Sequence, residues 1–257
     1  MATTSLLSAR LLISDSWHHY VKHWNYMMEV SLWLLLFPLL SLLVAFTVAP
    51  FSLDIATILF VVFALVDALF TTWVMVRLIR LCFAQNPAEE GRIVTNLHLG
   101  WELFVPMIWV HILTLFAVLG GSVLLFFPGL WLGVLFAFAP LLVVDSNVRG
   151  IKALAASAEL VKGRWWPTFW RILAGGFFFL LLIIVSLWAL SLFIGLFTGA
   201  GAIQSLLNLS VEQTAYTVES FRMETISILL NRLPEALFLP VFYLFLTKLY
   251  RILKVTR

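Results

Sequence analysis

The chain has 257 residues, 63% of them apolar and 11% charged, with 16 Lys+Arg against 13 Asp+Glu for a net charge of +3. Soluble globular chains carry about 45–50% apolar and about 25% charged residues, and a mean hydropathy of +1.05 implies exposed apolar patches that soluble monomers avoid. A soluble enzyme, a disordered chain, a collagen-like chain and a secreted disulfide scaffold are all disfavoured. The lone cysteine, Cys82, excludes an internal disulfide and a cysteine-based zinc site.

The first 26 residues carry charge and three histidines, His18, His19 and His23. The apolar run after them exceeds a signal-peptide core of about 7–15 residues, so no cleaved signal is expected. Residues 5–26 read as an interfacial helix, with Leu6, Leu7, Leu11, Ile13, Trp17 and Trp24 among Arg10, Asp15 and Lys22. His19 and His23 stand at i,i+4, a spacing that can hold a metal. Two ligands without a nearby carboxylate or cysteine are a thin set. They read as polar-face histidines, and neither a metal nor a cofactor is expected.

Charges then punctuate the chain. Uncharged stretches run over 24 residues (30–53), 42 (103–144), 40 (172–211) and 12 (236–247), and Asp67 alone interrupts the stretch from Asp54 to Arg77. A span needs about 20 residues at 1.5 Å each. The longest stretch therefore fits two spans, divided at Phe126-Phe127-Pro128-Gly129. The prediction is an all-α, polytopic membrane helix bundle forming one integral membrane domain over residues 1–257. Its six transmembrane helices fall at about 28–49, 55–82, 103–126, 128–144, 171–197 and 234–252. Beginning the sixth nearer Thr225 would put Arg232 and Glu235 in hydrocarbon, at several kcal/mol. Residues 147–163 and 209–232 read as further in-plane amphipathic helices. Lys/Arg fall 14 on one side of this arrangement and 2 on the other, which places both termini in the cytoplasm.

Asp67 stands near the middle of the second helix, where an ionised carboxylate is costly and marks function or a hydrogen-bonded helix contact. Thr71 is one turn away. His111 falls within about one helical turn of Asp67 in depth, so it is the first candidate partner of an intramembrane polar site. Lys162, Arg164 and Arg171 alternate with Trp165, Trp166 and Trp170. Basic groups at headgroup depth attract phosphates, and tryptophan favours that level. Lys162, Arg164, Trp165, Trp166 and Arg171 are therefore candidates for anionic lipid, with ordinary anchoring as the simpler account. Lys22-His23-Trp24-Asn25-Tyr26 and Lys162-Gly163-Arg164-Trp165-Trp166 read either as two independent aromatic-basic belts or as a faint internal repeat. No nucleophile elbow, phosphate loop, HExxH or dinucleotide fingerprint is present.

From Gly120 to Leu173 the chain reads Phe127-Pro128-Gly129, then Phe138-Ala139-Pro140-Leu141-Leu142-Val143-Val144-Asp145, Ala153-Leu154, Ser157 and Leu160-Val161-Lys162-Gly163-Arg164-Trp165-Trp166. This resembles the glycerophosphoryl diester phosphodiesterase membrane-domain family and related uncharacterised bacterial multi-helix membrane proteins. The resemblance implies a multi-pass protein of the bacterial cytoplasmic (inner) membrane. It carries no enzymatic activity over, because the paired carboxylates and histidines of the phosphodiesterase barrel are absent. The resulting expectation is a non-catalytic accessory or lipid-interacting protein, with membrane lipids as partners and no nucleic acid. A small transporter or channel using Asp67 and His111 is the alternative.

Overall fold

The computed structural model describes residues 8–198 and 217–256, which form helices and no strand. In chain order these are α1 (Ala9–Lys22), α2 (Trp24–Ser31), a 3-10 turn (Leu32–Leu35), α3 (Leu36–Thr47), α4 (Leu53–Phe83), α5 (Pro87–Thr95) and α6 (His98–Trp101). Then come α7 (Phe104–Leu124), α8 (Phe126–Phe136), α9 (Ala139–Ser146), α10 (Ile151–Val161), α11 (Trp165–Thr198) and α12 (Val218–Val255). Among the described residues, six stretches are long and apolar enough to cross a membrane: Trp24–Thr47, Leu53–Phe83, His98–Val123, Phe126–Ser146, Trp165–Phe193 and Val218–Val255. They fit a multi-pass membrane protein. Large apolar side chains recur on their outer faces at helical spacing, as at Ile55, Ile58, Val62, Leu65 and Leu69 on α4. Such a stripe suits lipid, since water would penalise it.

Two boundaries differ from those expected. The sixth helix starts at Val218, not 234, so residues 218–232 continue it; the rest of the expected 209–232 helix lies outside the described residues, as do Leu6 and Leu7. The fifth starts at Trp165, because Gly163, in the left-handed region at φ 75°, ends α10 just before it. Residues 87–95, unassigned from sequence, form a helix. The Asn86 side chain caps Glu89 N–H at 2.9 Å, Pro87 occupies the first turn, and Glu89 reaches back to Gln85 N–H at 3.0 Å.

The chain packs as two units. One comprises residues 8–31, 72–179 and 239–256. Tyr20, Met27, Leu78, Ile79, Met107, Phe138, Leu249 and Tyr250 are among its fully buried side chains. In the α7–α8 hairpin the chain turns at Leu125, whose φ of −163° is extended. Pro128 falls in the first turn of α8, where its missing N–H costs nothing. A Cβ on Gly129 would lie 1.9 Å from Ser122 Oγ, so only glycine lets the two helices approach this closely.

The fourth apolar stretch breaks between α8 and α9, beside Pro140, which cannot donate a helical hydrogen bond. Ser157 of α10 repairs the break. Its hydroxyl accepts from Phe138 N–H at 3.2 Å and donates to Leu135 O at 2.6 Å. Farther along, Trp165 Nε1 donates to Trp131 O at 3.3 Å. Thus 151–165 runs back beside the fourth stretch, toward the Leu125 turn.

The C-terminal end of α12 is tied into the same unit. Tyr250 Oη and Lys254 Nζ donate to Asp145, each at 2.6 Å. Lys248 pairs with Asp15 and Arg164 bonds to the Thr256 hydroxyl. Arg77 is 1% exposed, lies 4.6 Å over the Trp73 ring, and donates to Ile93 O and Val94 O at 3.2 and 2.6 Å. It thereby places a cation at the negative end of α5.

The other unit comprises residues 32–71, 180–198 and 217–238. Val44, Ala45, Ala49, Ala56 and Phe221 form its buried cluster, with Leu53, Leu59, Phe60 and Phe63 packed against it. Arg222 Nε donates to Ala45 O at 3.3 Å, and its guanidinium lies 5.0 Å over the Phe46 ring.

Candidate functional site

Asp67 points at Arg232. The Arg232 Nη2–Asp67 Oδ2 distance is 2.7 Å, and Arg232 Nη1 reaches Glu235 Oε2 at 2.8 Å. One guanidinium thus answers two carboxylates on adjacent faces of its fork, the geometry for which arginine is suited. A cavity of about 220 Å³ adjoins the pair, lined by Phe37, Pro38, Ser41, Phe63, Asp67 and Arg232 among others. Thr71 Oγ1 is buried and has no hydrogen-bond partner among the described residues. His111 Nδ1 donates to Met107 O, one turn back in α7, at 2.8 Å. Asp67 therefore draws its partner from α12, where His111 of α7 had been the candidate. The reason is the early start of α12: the charge cost that argued against it is offset by pairing. Sequence reasoning had left Arg232 outside the span and Glu235 at its very start. Their i,i+3 spacing and the uncompensated Asp67 were the available signals.

The tryptophan belt forms a groove. Phe127, Pro128, Leu130, Trp131, Trp165 and Trp166 enclose about 500 Å³, a size typical of small-molecule sites at about 300–1,000 Å³. Trp165 stacks on Phe169 at 5.1 Å, with the rings 5° from parallel, and meets Trp166 edge-on at 4.8 Å. The cations near it are differently engaged. Lys162 is exposed and makes a surface pair with Glu159 at 3.2 Å. Arg164 bonds to Thr256, and Arg171 Nη1 donates to Pro167 O at 2.7 Å. The structure thus brings Trp165 and Trp166 together with the Phe127-Pro128 turn, a juxtaposition the sequence did not suggest.

The histidines divide. His18 Nδ1 donates to Ser14 O at 2.7 Å within α1. His19 and His23 stack at 4.5 Å, and His23 Nδ1 lies 2.8 Å from the Glu90 carboxylate.

No protein-family model matches the chain, and no curated protein or solved structure matches it.

Proposed function

We propose that this chain is a non-catalytic, multi-pass protein of a bacterial cytoplasmic membrane, with both termini in the cytoplasm, and that it binds anionic lipid at the tryptophan groove. The groove supports this reading. It offers an apolar trough of about 500 Å³, and Arg164 directly precedes its wall residues Trp165 and Trp166, with Lys162 two positions before Arg164. Indole rings favour the membrane interface, and each basic residue near an anionic surface contributes about 1 kcal/mol. The test is native mass spectrometry of the intact protein released from anionic membranes. Replacing Arg164 and Arg171 together with Gln should lower retained anionic lipid by up to about thirtyfold, following that per-residue value. Trp165→Ala should lower retention of anionic and neutral lipid alike. Unchanged retention in both variants would reduce the belt to an anchor.

A second reading, a small transporter or channel, is supported by the cavity beside Asp67 and Arg232. Asp67→Asn, which keeps hydrogen bonding but cannot titrate, would abolish proton-coupled flux in vesicles while leaving the protein folded. Undiminished flux would exclude Asp67 as the coupling group.

A further inference from the structure

His19, His23 and Glu90 meet at one point. They offer two imidazole nitrogens and a carboxylate oxygen, all within 4.8 Å of one another. The donors come from α1 with its capping residue His23, and from α5. Each is held. The i,i+4 spacing stacks the rings at 4.5 Å. Glu90 is only 2% exposed and sits in the first turn of α5, whose N-terminus is fixed by the Asn86 cap. A carboxylate this buried needs a positive partner or a full set of donors. His23 supplies one contact, at 2.8 Å.

We propose that His19, His23 and Glu90 form a binding site for a divalent transition-metal ion, of which zinc is the best fit. Two imidazoles and one carboxylate are the protein donors of zinc sites that keep a fourth position open to water or a further ligand. The ion takes the place of the hydrogen between His23 Nδ1 and the Glu90 carboxylate, and that proton passes to His23 Nε2 or to water. Donors around a tetrahedral ion stand about 3.3–3.5 Å apart, given bonds of about 2.0–2.2 Å. The His23–Glu90 contact therefore opens slightly and His19 moves inward from its stacked position. Charge favours the exchange, since the trio carries one formal negative charge when both rings are neutral. Asp15, one turn before His19 on α1, adds attraction. Lys248 of α12 opposes it, though its ammonium is engaged by Asp15. Burial, then His23 and Lys248, push the His19 pKa below its ordinary value. The site is separate from the tryptophan groove and from Asp67.

The test uses the full chain in lipid nanodiscs, with any affinity tag removed and metal stripped. Zinc is titrated against a chromogenic chelator, and cobalt is added separately to read its visible ligand-field bands. One saturable equivalent of zinc per chain is expected, with cobalt bands indicating four-coordination. His19→Ala, His23→Ala and Glu90→Gln should each weaken zinc by tenfold or more, since even outer partners of a ligand are worth about 10–100-fold. His18→Ala should leave affinity unchanged. Glu90→Gln keeps the side chain's size and a hydrogen bond to His23, so its folding, checked by size exclusion and circular dichroism, separates lost ligation from lost structure. Absence of a saturable equivalent, or equal affinity in folded Glu90→Gln, overturns the proposal.

Discussion

Remove the Arg232 guanidinium and two carboxylates, Asp67 and Glu235, are left facing each other with no cation. Remove Asp67 instead and Arg232 still has Glu235, an i,i+3 pair at 2.8 Å. The two deletions are therefore unequal. Breaking a buried pair costs about 3–5 kcal/mol when it strands a charge. This triad is only half-buried, with side chains 25%, 13% and 34% exposed, so Arg232→Leu should lose less than that, Asp67→Leu markedly less again and Asp67→Asn least of all. Thermal unfolding in nanodiscs, followed by tryptophan fluorescence, measures the order; equal losses for Arg232→Leu and Asp67→Leu would show that the triad is not the unit. Sequence alone marks Asp67 as anomalous, because a single carboxylate interrupts an apolar run. It does not identify the partner. Each charge in 218–235 is costed singly there, and pairing between α4 and α12 appears only once their faces are known. Glu90 is hidden for the same reason. In the sequence it is one of two adjacent glutamates in a polar connection, 67 residues from His23.

At the scale of elements, α10 is the instructive case. Its alternation of Ile151, Leu154, Ala155, Ala158 and Val161 with Lys152, Glu159 and Lys162 suits either a membrane surface or a protein surface, and periodicity cannot choose between them. Ser157 decides. Its hydroxyl is fully buried and holds the α8–α9 break at both Leu135 O and Phe138 N–H. Ser157→Ala leaves one donor and one acceptor buried without that partner, each at about 1–3 kcal/mol. We expect a clear drop in melting temperature. We also expect faster amide exchange at Phe138 relative to the centre of α7, measured by hydrogen–deuterium exchange mass spectrometry. Unchanged protection at Phe138 would mean that the break is satisfied some other way. The six apolar stretches themselves are legible from length and composition, which depend on no partner. Their ends are less so: a cap such as Asn86 is readable, but an intrahelical charge that is neutralised from another helix is not.

For the whole molecule, the packing of the Leu125 turn bears on which apolar stretches cross. Lys/Arg counting puts the Leu125 turn outside and the 164–171 belt inside. The Trp165–Trp131 hydrogen bond and the shared groove instead set these two side by side, and hydrocarbon about 30 Å thick cannot separate neighbours. The Asp145 contacts agree. From Tyr250 to Thr256 α12 advances about 9 Å, whereas an unbroken helix from Trp131 to Asp145 would advance about 21 Å. Yet Asp145 meets Tyr250 and Lys254, while Arg164, next to the Trp131-bonded Trp165, meets Thr256. Stretches bound at both places lie across the end of α12 more than along it. The expected outcome is a hairpin of α7 and α8 that enters and returns on one face, leaving four crossings and both termini still together. Single cysteines at Phe127 and Lys162, in a Cys82→Ser background, should label from the same side of intact cells as a cysteine at Thr256. Labelling of Phe127→Cys from the opposite side restores six crossings.

The fastening of α12 also bears on how the protein is made. Residues 239–256 follow everything else in their unit along the chain, and they supply Tyr250, Lys254 and Thr256 to it. The earlier pieces, 8–31 and 72–179, leave the ribosome long before these partners exist. Until then Asp145 lacks its two donors, and the surfaces destined for Leu249 and Leu253 stand open. Assembly of that half is thus a post-insertion event with a waiting period, in which a holding factor or a protease has its opportunity.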